Sequence, residues 1–176
     1  MDSSLFFLIN NIDQNAFFDF VMPFITTKSY LLFLLIVLYP MMKNWRKAVP
    51  FLVLSLICIA IADMSGNLLK HLFERPRPCS SLEDVRMLIE CGNSFSFPSN
   101  HAVNAFAAAV MCSYFYRKAS PLLYLVAVAV AFSRIYSGVH YPSDVFAGAL
   151  WGGFCAYGII SLYSLYNQQR APVASR

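Results

Sequence analysis

Long apolar runs separated by short polar connections dominate the hydrophobic pattern of this chain. A helix needs roughly 20 consecutive apolar residues to cross a hydrocarbon core, so runs that approach this length predict membrane spans. Five segments qualify, at residues 24–45, 49–69, 101–116, 121–135 and 145–166. The pattern therefore predicts an all-α, polytopic transmembrane helical bundle that forms one membrane-embedded domain over residues 1–176.

The first 27 residues have a less hydrophobic pattern. Residues 5–25 mix Phe and Leu with polar or acidic side chains, too many for a helix that faces lipid: Asn10, Asn11, Asp13, Gln14, Asn15 and Asp19. An amphipathic interfacial helix over residues 1–27 is the better prediction, and a sixth, weakly hydrophobic span is the alternative. No signal-peptide pattern is evident over residues 1–15, so we expect the first span to direct insertion.

The composition supports a membrane protein. Hydrophobic residues make up 59% of the chain and charged residues 12%, whereas soluble domains contain about 25% charged residues. The formal charge of +4 is scattered over short connections, and a basic face suited to nucleic acid is therefore not expected. No obligatory protein partner is evident either, so the bilayer is the expected surrounding of the chain.

Basic residues in the connections predict the orientation of the bundle. The connections after the first, third and fifth spans contain basic but no acidic residues: Lys43, Arg46, Lys47, Arg117, Lys118, Arg170 and Arg176. The positive-inside rule assigns these connections to the cytoplasm. The long connection at residues 70–100 and the turn before the fifth span then lie together on the outer side.

Three polar patches at span ends carry the candidate chemistry, and all three lie on the outer side in this topology. The patches are KHLFERPRP from Lys70, FPSNH ending at His101, and SRIYSGVHYPSD ending at Asp144. Arginine and lysine side chains suit a phosphoryl group, because guanidinium groups bind its oxygens in pairs. Asp144 is the only carboxylate among the candidate ligands, so a divalent metal has no obvious cage. We therefore predict a phosphate pocket without a metal ion or another cofactor.

His140 and Asp144 form the candidate catalytic pair. Pro142 suits the first position of a helix, which puts Asp144 in the first turn with its carboxylate reaching back to the histidine. A carboxylate bound to one ring nitrogen fixes the tautomer and leaves the other nitrogen nucleophilic. His101, at the start of another span, could give a proton to the leaving alkoxide and later take one from water.

In order and spacing, the patches K-x6-RP, PS-x-H and SR-x5-H-x3-D resemble the signature of the type 2 phosphatidic acid phosphatase superfamily. The resemblance implies a six-helix bundle and a metal-independent lipid phosphatase that forms a phosphohistidine intermediate. By position, it implies His140 as the nucleophile, Asp144 as its partner and His101 as the acid and base. It also implies a set of phosphate-binding residues: Lys70, Arg77, Ser99, Arg134 and the backbone N–H of Asn100.

One position departs from the family pattern. The middle motif commonly has glycine before its histidine, where this chain has Asn100. Asparagine tolerates left-handed backbone angles, so the backbone donor is expected to persist. Its side chain would then narrow the pocket or touch the head group.

Asp63 and Arg75 lie near the motifs without matching a motif position, and two other functions compete with a lipid phosphatase. Asp63 shares a face of the second span with Asn67 and Lys70, and a structural role among polar groups is favoured. Arg75 is assigned no role, because the spacing from the lysine selects Arg77. A vanadate haloperoxidase-like enzyme is disfavoured by the membrane composition. A transporter or channel is disfavoured because the charges gather at span ends.

The expected substrates are undecaprenyl diphosphate, phosphatidylglycerol phosphate, phosphatidic acid or a lipid A phosphate. The small outer loop favours the first of these or a simple glycerolipid. The compact chain suggests a bacterial inner membrane protein of the cell envelope, with its active site toward the periplasm or exterior. Cys79 and Cys91 share the outer loop, where oxidising conditions favour a disulfide, and a pair of free thiols is the alternative.

Overall fold

A computed structural model describes residues 1–12 and 15–170, and over these ranges the chain contains helices and connections but no strand. The α-helices in these ranges are α1 (Asp2–Asn10), α2 (Ala16–Lys43), α3 (Trp45–Phe73), α4 (Pro78–Ser81), α5 (Asn100–Phe115), α6 (Ser120–Tyr136) and α7 (Pro142–Arg170). The prediction of an all-α fold is confirmed. Three residues used in the sequence arguments lie outside the described residues: Asp13, Gln14 and Arg176.

Within the described residues, four helical stretches are long and apolar enough to cross a membrane: Ala16–Lys43, Trp45–Ser81, Arg117–Tyr136 and Pro142–Arg170. They correspond to the first, second, fourth and fifth predicted spans. The third predicted span corresponds to α5, which has 16 residues, fewer than the roughly 20 that a hydrocarbon core requires. The sequence predicted five spans, and four of them correspond to helices of the described chain that are long and apolar enough to cross a membrane.

The N-terminal region differs from the single amphipathic helix expected over residues 1–27. Helix α1 ends at Asn10, and the long helix α2 begins at Ala16, capped by the Asn15 side chain, which accepts a hydrogen bond from the Phe18 N–H at 3.0 Å. Residues 16–27 thus start the first spanning helix. The acidic group within them is compensated, because Asp19 pairs with Arg86 at 2.6 Å.

Helix α5 forms the centre of the bundle and packs against α3, α6 and α7. A Cβ atom added to Gly148 would lie 2.7 Å from the carbonyl oxygen of Ser99, and one added to Gly152 would lie 2.0 Å from that of Val103. Small residues therefore let the backbones of α5 and α7 approach closely. This packing joins their N-termini, where the Ser99 N–H donates to the carbonyl of Asp144 at 3.0 Å.

The bundle has two chemically different ends. The site end comprises the last turn of α3, the connection at residues 74–99, the first turn of α5, and the α6–α7 connection. The basic end comprises the α2–α3 and α5–α6 connections. Helix α1 packs at the site end, where the buried Asn10 amide donates to the carbonyls of Arg86 and Tyr136, each at 2.9 Å.

Candidate active site

Buried ionisable residues gather at the site end. His140 is 1% exposed and Asp144 is 0% exposed, and Lys70, Arg77 and Arg134 are buried as well. Charged side chains are seldom buried unless they are paired or bind a ligand. The site end is therefore the candidate active site, and the structure brings together the residues that the three sequence patches supplied.

A tight turn before α7 positions the His140–Asp144 pair. Gly138 has φ +82°, and a Cβ atom there would lie 2.5 Å from the carbonyl oxygen of Arg86, so the turn requires glycine. Asp144 reaches back from the first turn of α7 and accepts the Tyr141 N–H at 2.9 Å. Its Oδ2 lies 3.6 Å from Nδ1 of His140. The carboxylate thus faces one ring nitrogen.

Ser96 completes this pair, although the sequence analysis did not identify it. Its hydroxyl donates to Oδ2 of Asp144 at 2.5 Å and lies 3.4 Å from Nδ1 of His140. Ser96 is itself fully buried. Only its position just before the Pro-Ser motif could have drawn attention to it.

Burial and nearby cations keep the His140 ring neutral. Burial in the protein lowers the pKa of His140, a hydrogen bond to Asp144 raises it, and the charges of Arg134, Arg77 and Lys70 lower it again. The net pKa lies below the ordinary histidine value of about 6.5. A neutral imidazole has a free lone pair, and because Asp144 faces Nδ1, that lone pair is on Nε2 when Nδ1 carries the proton.

The buried cations bind neutral oxygens instead of carboxylates. Lys70 Nζ donates to the carbonyl of Phe95 at 2.6 Å, and Arg77 Nε donates to the carbonyl of Ser94 at 2.7 Å. Arg134 donates from Nη1 to the hydroxyl of Thr26 at 2.9 Å, and among the described residues its Nε has no partner. Throughout the described chain, none of these three cations is in an ion pair. Their uncompensated charge suits an anionic ligand.

The middle motif lies at the start of α5. Ser99 is fully buried, and its hydroxyl has no hydrogen-bond partner in the described residues. The Asn100 side chain turns toward α3, donating to Asn67 at 2.7 Å and Asp63 at 3.3 Å. His101 is exposed in the first turn of the helix. Its exposed ring is accessible to a leaving group.

Arg75, to which the sequence motifs assigned no role, binds the Asp144 carboxylate. Its Nη1 donates to Oδ1 of Asp144 at 2.6 Å, and its Nη2 pairs with Asp2 of α1, also at 2.6 Å. The guanidinium lies 4.0 Å above the Tyr141 ring. Asp2 also binds the backbone and hydroxyl of Ser143. Helix α1 is thus linked through Arg75 to the carboxylate that faces His140.

The connection at residues 74–99 is cross-linked beside the site. Cys79 and Cys91 form a disulfide with their Cα atoms 5.9 Å apart. Cys79 lies in the short helix α4, directly after Arg77 and Pro78. The disulfide therefore closes the segment that follows the buried Arg77.

Similarity to known proteins agrees with this geometry. The family model of the PAP2 superfamily matches residues 51–168. A lipid A 4'-phosphatase of Bacteroides thetaiotaomicron is 32% identical over 88% of this chain and 73% of its own length. An undecaprenyl-diphosphatase of Sulfolobus acidocaldarius is 31% identical over 90% of this chain and 77% of its own length.

The fold is also similar to a solved structure. The crystal structure of a transmembrane PAP2 type phosphatidylglycerolphosphate phosphatase from Bacillus subtilis aligns with a TM-score of 0.74 and 25% identity. The alignment covers 98% of this chain and 87% of that one. Buried cations around the His140–Asp144 pair, at the end of helices long enough to cross a membrane, fit a membrane-embedded hydrolase. The chain belongs to the PAP2 superfamily, and the prediction of a lipid phosphatase family is confirmed.

Proposed function

We propose that this protein hydrolyses a lipid phosphate or diphosphate through a phosphohistidine on His140. Nε2 of His140 attacks phosphorus, and the bond from phosphorus to the leaving oxygen breaks. His101 gives its proton to that oxygen. Water then attacks the phosphohistidine, His101 takes the water proton, and inorganic phosphate leaves as the N–P bond breaks. Each step balances without a metal ion.

One observation supports this mechanism most strongly. Lys70, Arg77 and Arg134 are buried around His140 without a carboxylate partner in the described chain. A phosphoryl group supplies the missing negative charge, and its transfer spreads charge over oxygens that these cations can stabilise. Ser99 and the Asn100 N–H at the start of α5 would bind the remaining oxygens.

The proposed orientation has the site end toward the periplasm or exterior of a bacterial inner membrane. The unpaired cations of the basic end support it through the positive-inside rule. We further propose that α5 lies at membrane depth, enclosed by α3, α6 and α7, since its centre is lined with buried alanines. Helix α1 would then lie at the outer surface.

The substrate is testable with a panel of lipids in one detergent. Undecaprenyl diphosphate, phosphatidylglycerol phosphate, phosphatidic acid and a phosphorylated lipid A are assayed for phosphate release, with EDTA present throughout. We expect turnover of at least one lipid in EDTA and a loss of roughly 10³-fold or more in His140→Ala. His71→Ala is the matched control, because His71 is exposed at the same end and packs on Phe95. Comparable losses in both variants, or a strict requirement for added Mg²⁺, would contradict the proposal.

A further inference from the structure

A cavity lies at the basic end of the bundle, away from the candidate active site. Its volume of about 840 Å³ lies within the roughly 300–1,000 Å³ typical of ligand pockets. The last turns of α2 and α5 and the first residues of α3 and α6 enclose it. We call it the basic cavity, because four cations line it: Lys43, Lys47, Arg117 and Lys118.

The charge of the basic cavity is not compensated by the protein. No Asp or Glu is among the lining residues. In the described chain the ion pairs are formed by other side chains, and none of the four lining cations takes part in one. Convergent cations without acidic neighbours create a positive potential inside a concave site.

Two helix N-termini add to this potential. Helix α3 follows Asn44 and helix α6 follows Ala119, and both of these residues line the basic cavity. Neither N-terminus is capped by a side-chain hydrogen bond. The positive ends of both helix dipoles lie at the cavity and favour an anion there. At α6 the contribution is the dipole alone, because the Ser120 N–H donates to the carbonyl of Arg117 and Pro121 has no N–H.

A buried hydroxyl in the cavity wall lacks a partner. Tyr116 is 6% exposed, lines the basic cavity, and its hydroxyl makes no hydrogen bond in the described residues. Buried hydroxyl groups are normally hydrogen-bonded, and an unpaired one costs free energy. A ligand oxygen in the cavity would satisfy it.

We propose that the basic cavity binds the phosphodiester headgroup of an anionic phospholipid, at a site separate from catalysis. The cations, the helix N-termini and the Tyr116 hydroxyl all favour a phosphate group. The source is a lipid rather than a free anion, because Ile36, Phe115 and Leu122 give the cavity an apolar wall beside the spanning helices. In the orientation proposed above, this lipid belongs to the cytoplasmic leaflet.

A matched pair of double variants separates this site from general surface charge. Lys43→Gln with Arg117→Gln removes two charges from the basic cavity. Arg46→Gln with Arg170→Gln removes two charges from the same end outside the cavity, where Arg46 and Arg170 lie over Trp45 and Tyr166. Tyr116→Phe removes only the unpaired hydroxyl. Native mass spectrometry of the full chain measures the dissociation constants of dioleoyl phosphatidylglycerol, dioleoyl phosphatidylcholine and inorganic phosphate.

We expect phosphatidylglycerol to bind more tightly than phosphatidylcholine. Each basic residue near an anionic lipid has an effect of about five-fold, so the cavity pair should weaken phosphatidylglycerol binding roughly twenty-fold. The control pair should change it about two-fold or less, and Tyr116→Phe should weaken it a few-fold. Equal losses in both pairs, no preference for phosphatidylglycerol, or phosphate binding as tightly as the lipid would overturn the proposal. If the cavity pair does not fold, Tyr116→Phe decides, because it keeps every charge.

Discussion

The environment of His140 sets the pH range in which it can act as a nucleophile. Burial and three neighbouring cations lower the pKa of His140 below its ordinary value of about 6.5, while Asp144 opposes this change. The neutral ring is the reactive form. It therefore persists as the pH falls through 6.5 and is lost only when the pH falls through the lowered pKa.

The expected pH profile follows from the lowered pKa of His140. In kcat/KM measured from about pH 4.5 to 8, protonation of His140 should cause no one-proton loss of activity centred near pH 6.5 on the acidic side of the profile. The phosphate group of the substrate is titrated separately, and kcat/KM is corrected for the fraction of substrate in the reactive ionisation state. An enzyme ionisation on the acidic side with a midpoint at 6.5 or higher would mean that His140 is not held neutral.

Arg75 should act as a positioning residue for Asp144. It binds Oδ1 of the Asp144 carboxylate at 2.6 Å and Oδ2 of Asp2 at 2.6 Å. Arg75→Gln should lower kcat by roughly ten-fold with little change in KM, because groups that orient a catalytic side chain have effects of this size. Arg75→Lys should restore part of the lost kcat.

Arg86→Gln is the control for Arg75. Arg86 anchors Asp19 at 2.6 Å and contacts the carbonyl of Asn10 at the far end of α1, without touching His140 or Asp144. The kcat of the Arg86→Gln variant should stay close to that of the unsubstituted protein. If Arg75→Gln raised KM and left kcat unchanged, its role would be substrate binding.

At the residue scale, the candidate site residues that belong to short sequence motifs could be predicted from the sequence. His140, Asp144, Lys70, Arg77 and Arg134 could be selected because each lies in a short motif. Two residues that bind the Asp144 carboxylate could not be selected from the sequence, because only tertiary packing brings them to it. They are Ser96, which is 48 positions from Asp144, and Arg75, which is 69 positions away. The Arg75–Asp2 contact depends further on how α1 docks.

Close packing of α5 and α7 is the element-scale feature that aligns the active site. Gly152→Ala places a methyl group where its Cβ would lie 2.0 Å from the Val103 carbonyl oxygen, so the helices must separate. We expect a loss of unfolding free energy of about 1–3 kcal/mol, measured by denaturant titration in detergent. Gly153→Ala is the control, because nothing lies within 4 Å of the added atom, and it should be neutral or stabilising by up to about 1 kcal/mol. Equal effects of both substitutions would argue against helix contact as the cause.

Hydrophobic periodicity predicted the elements better than their boundaries. The four long spans were evident because apolar length is a local property. The division between α1 and α2 was missed, since Asp19 is acceptable in a spanning helix only when Arg86 compensates it. The length of α5, 16 residues, agrees with the segment predicted at 101–116, but its surroundings could not be predicted, because neighbouring helices pack around its buried alanines.

For the whole molecule, the location of the site at the end of spanning helices predicts access from the leaflet. A substrate already in the membrane keeps its tails in lipid, whereas a soluble substrate gains nothing from the roughly 0.8 kcal/mol per CH₂ of apolar burial. Catalytic efficiency should therefore rise with acyl chain length in mixed micelles. Hydrolysis of p-nitrophenyl phosphate as efficiently as long-chain lipid phosphates would contradict lateral access.

The covalent role of His140 is tested most directly by trapping the intermediate. The full-length protein is mixed with a lipid substrate labelled with ³²P on the phosphoryl group, quenched in alkaline denaturant, and digested for mass spectrometry. We predict an acid-labile phosphoryl group on His140 that is absent from His140→Ala and present in His71→Ala. Turnover without any labelled protein, or a label on another residue that persists in His140→Ala, would contradict His140 as the nucleophile.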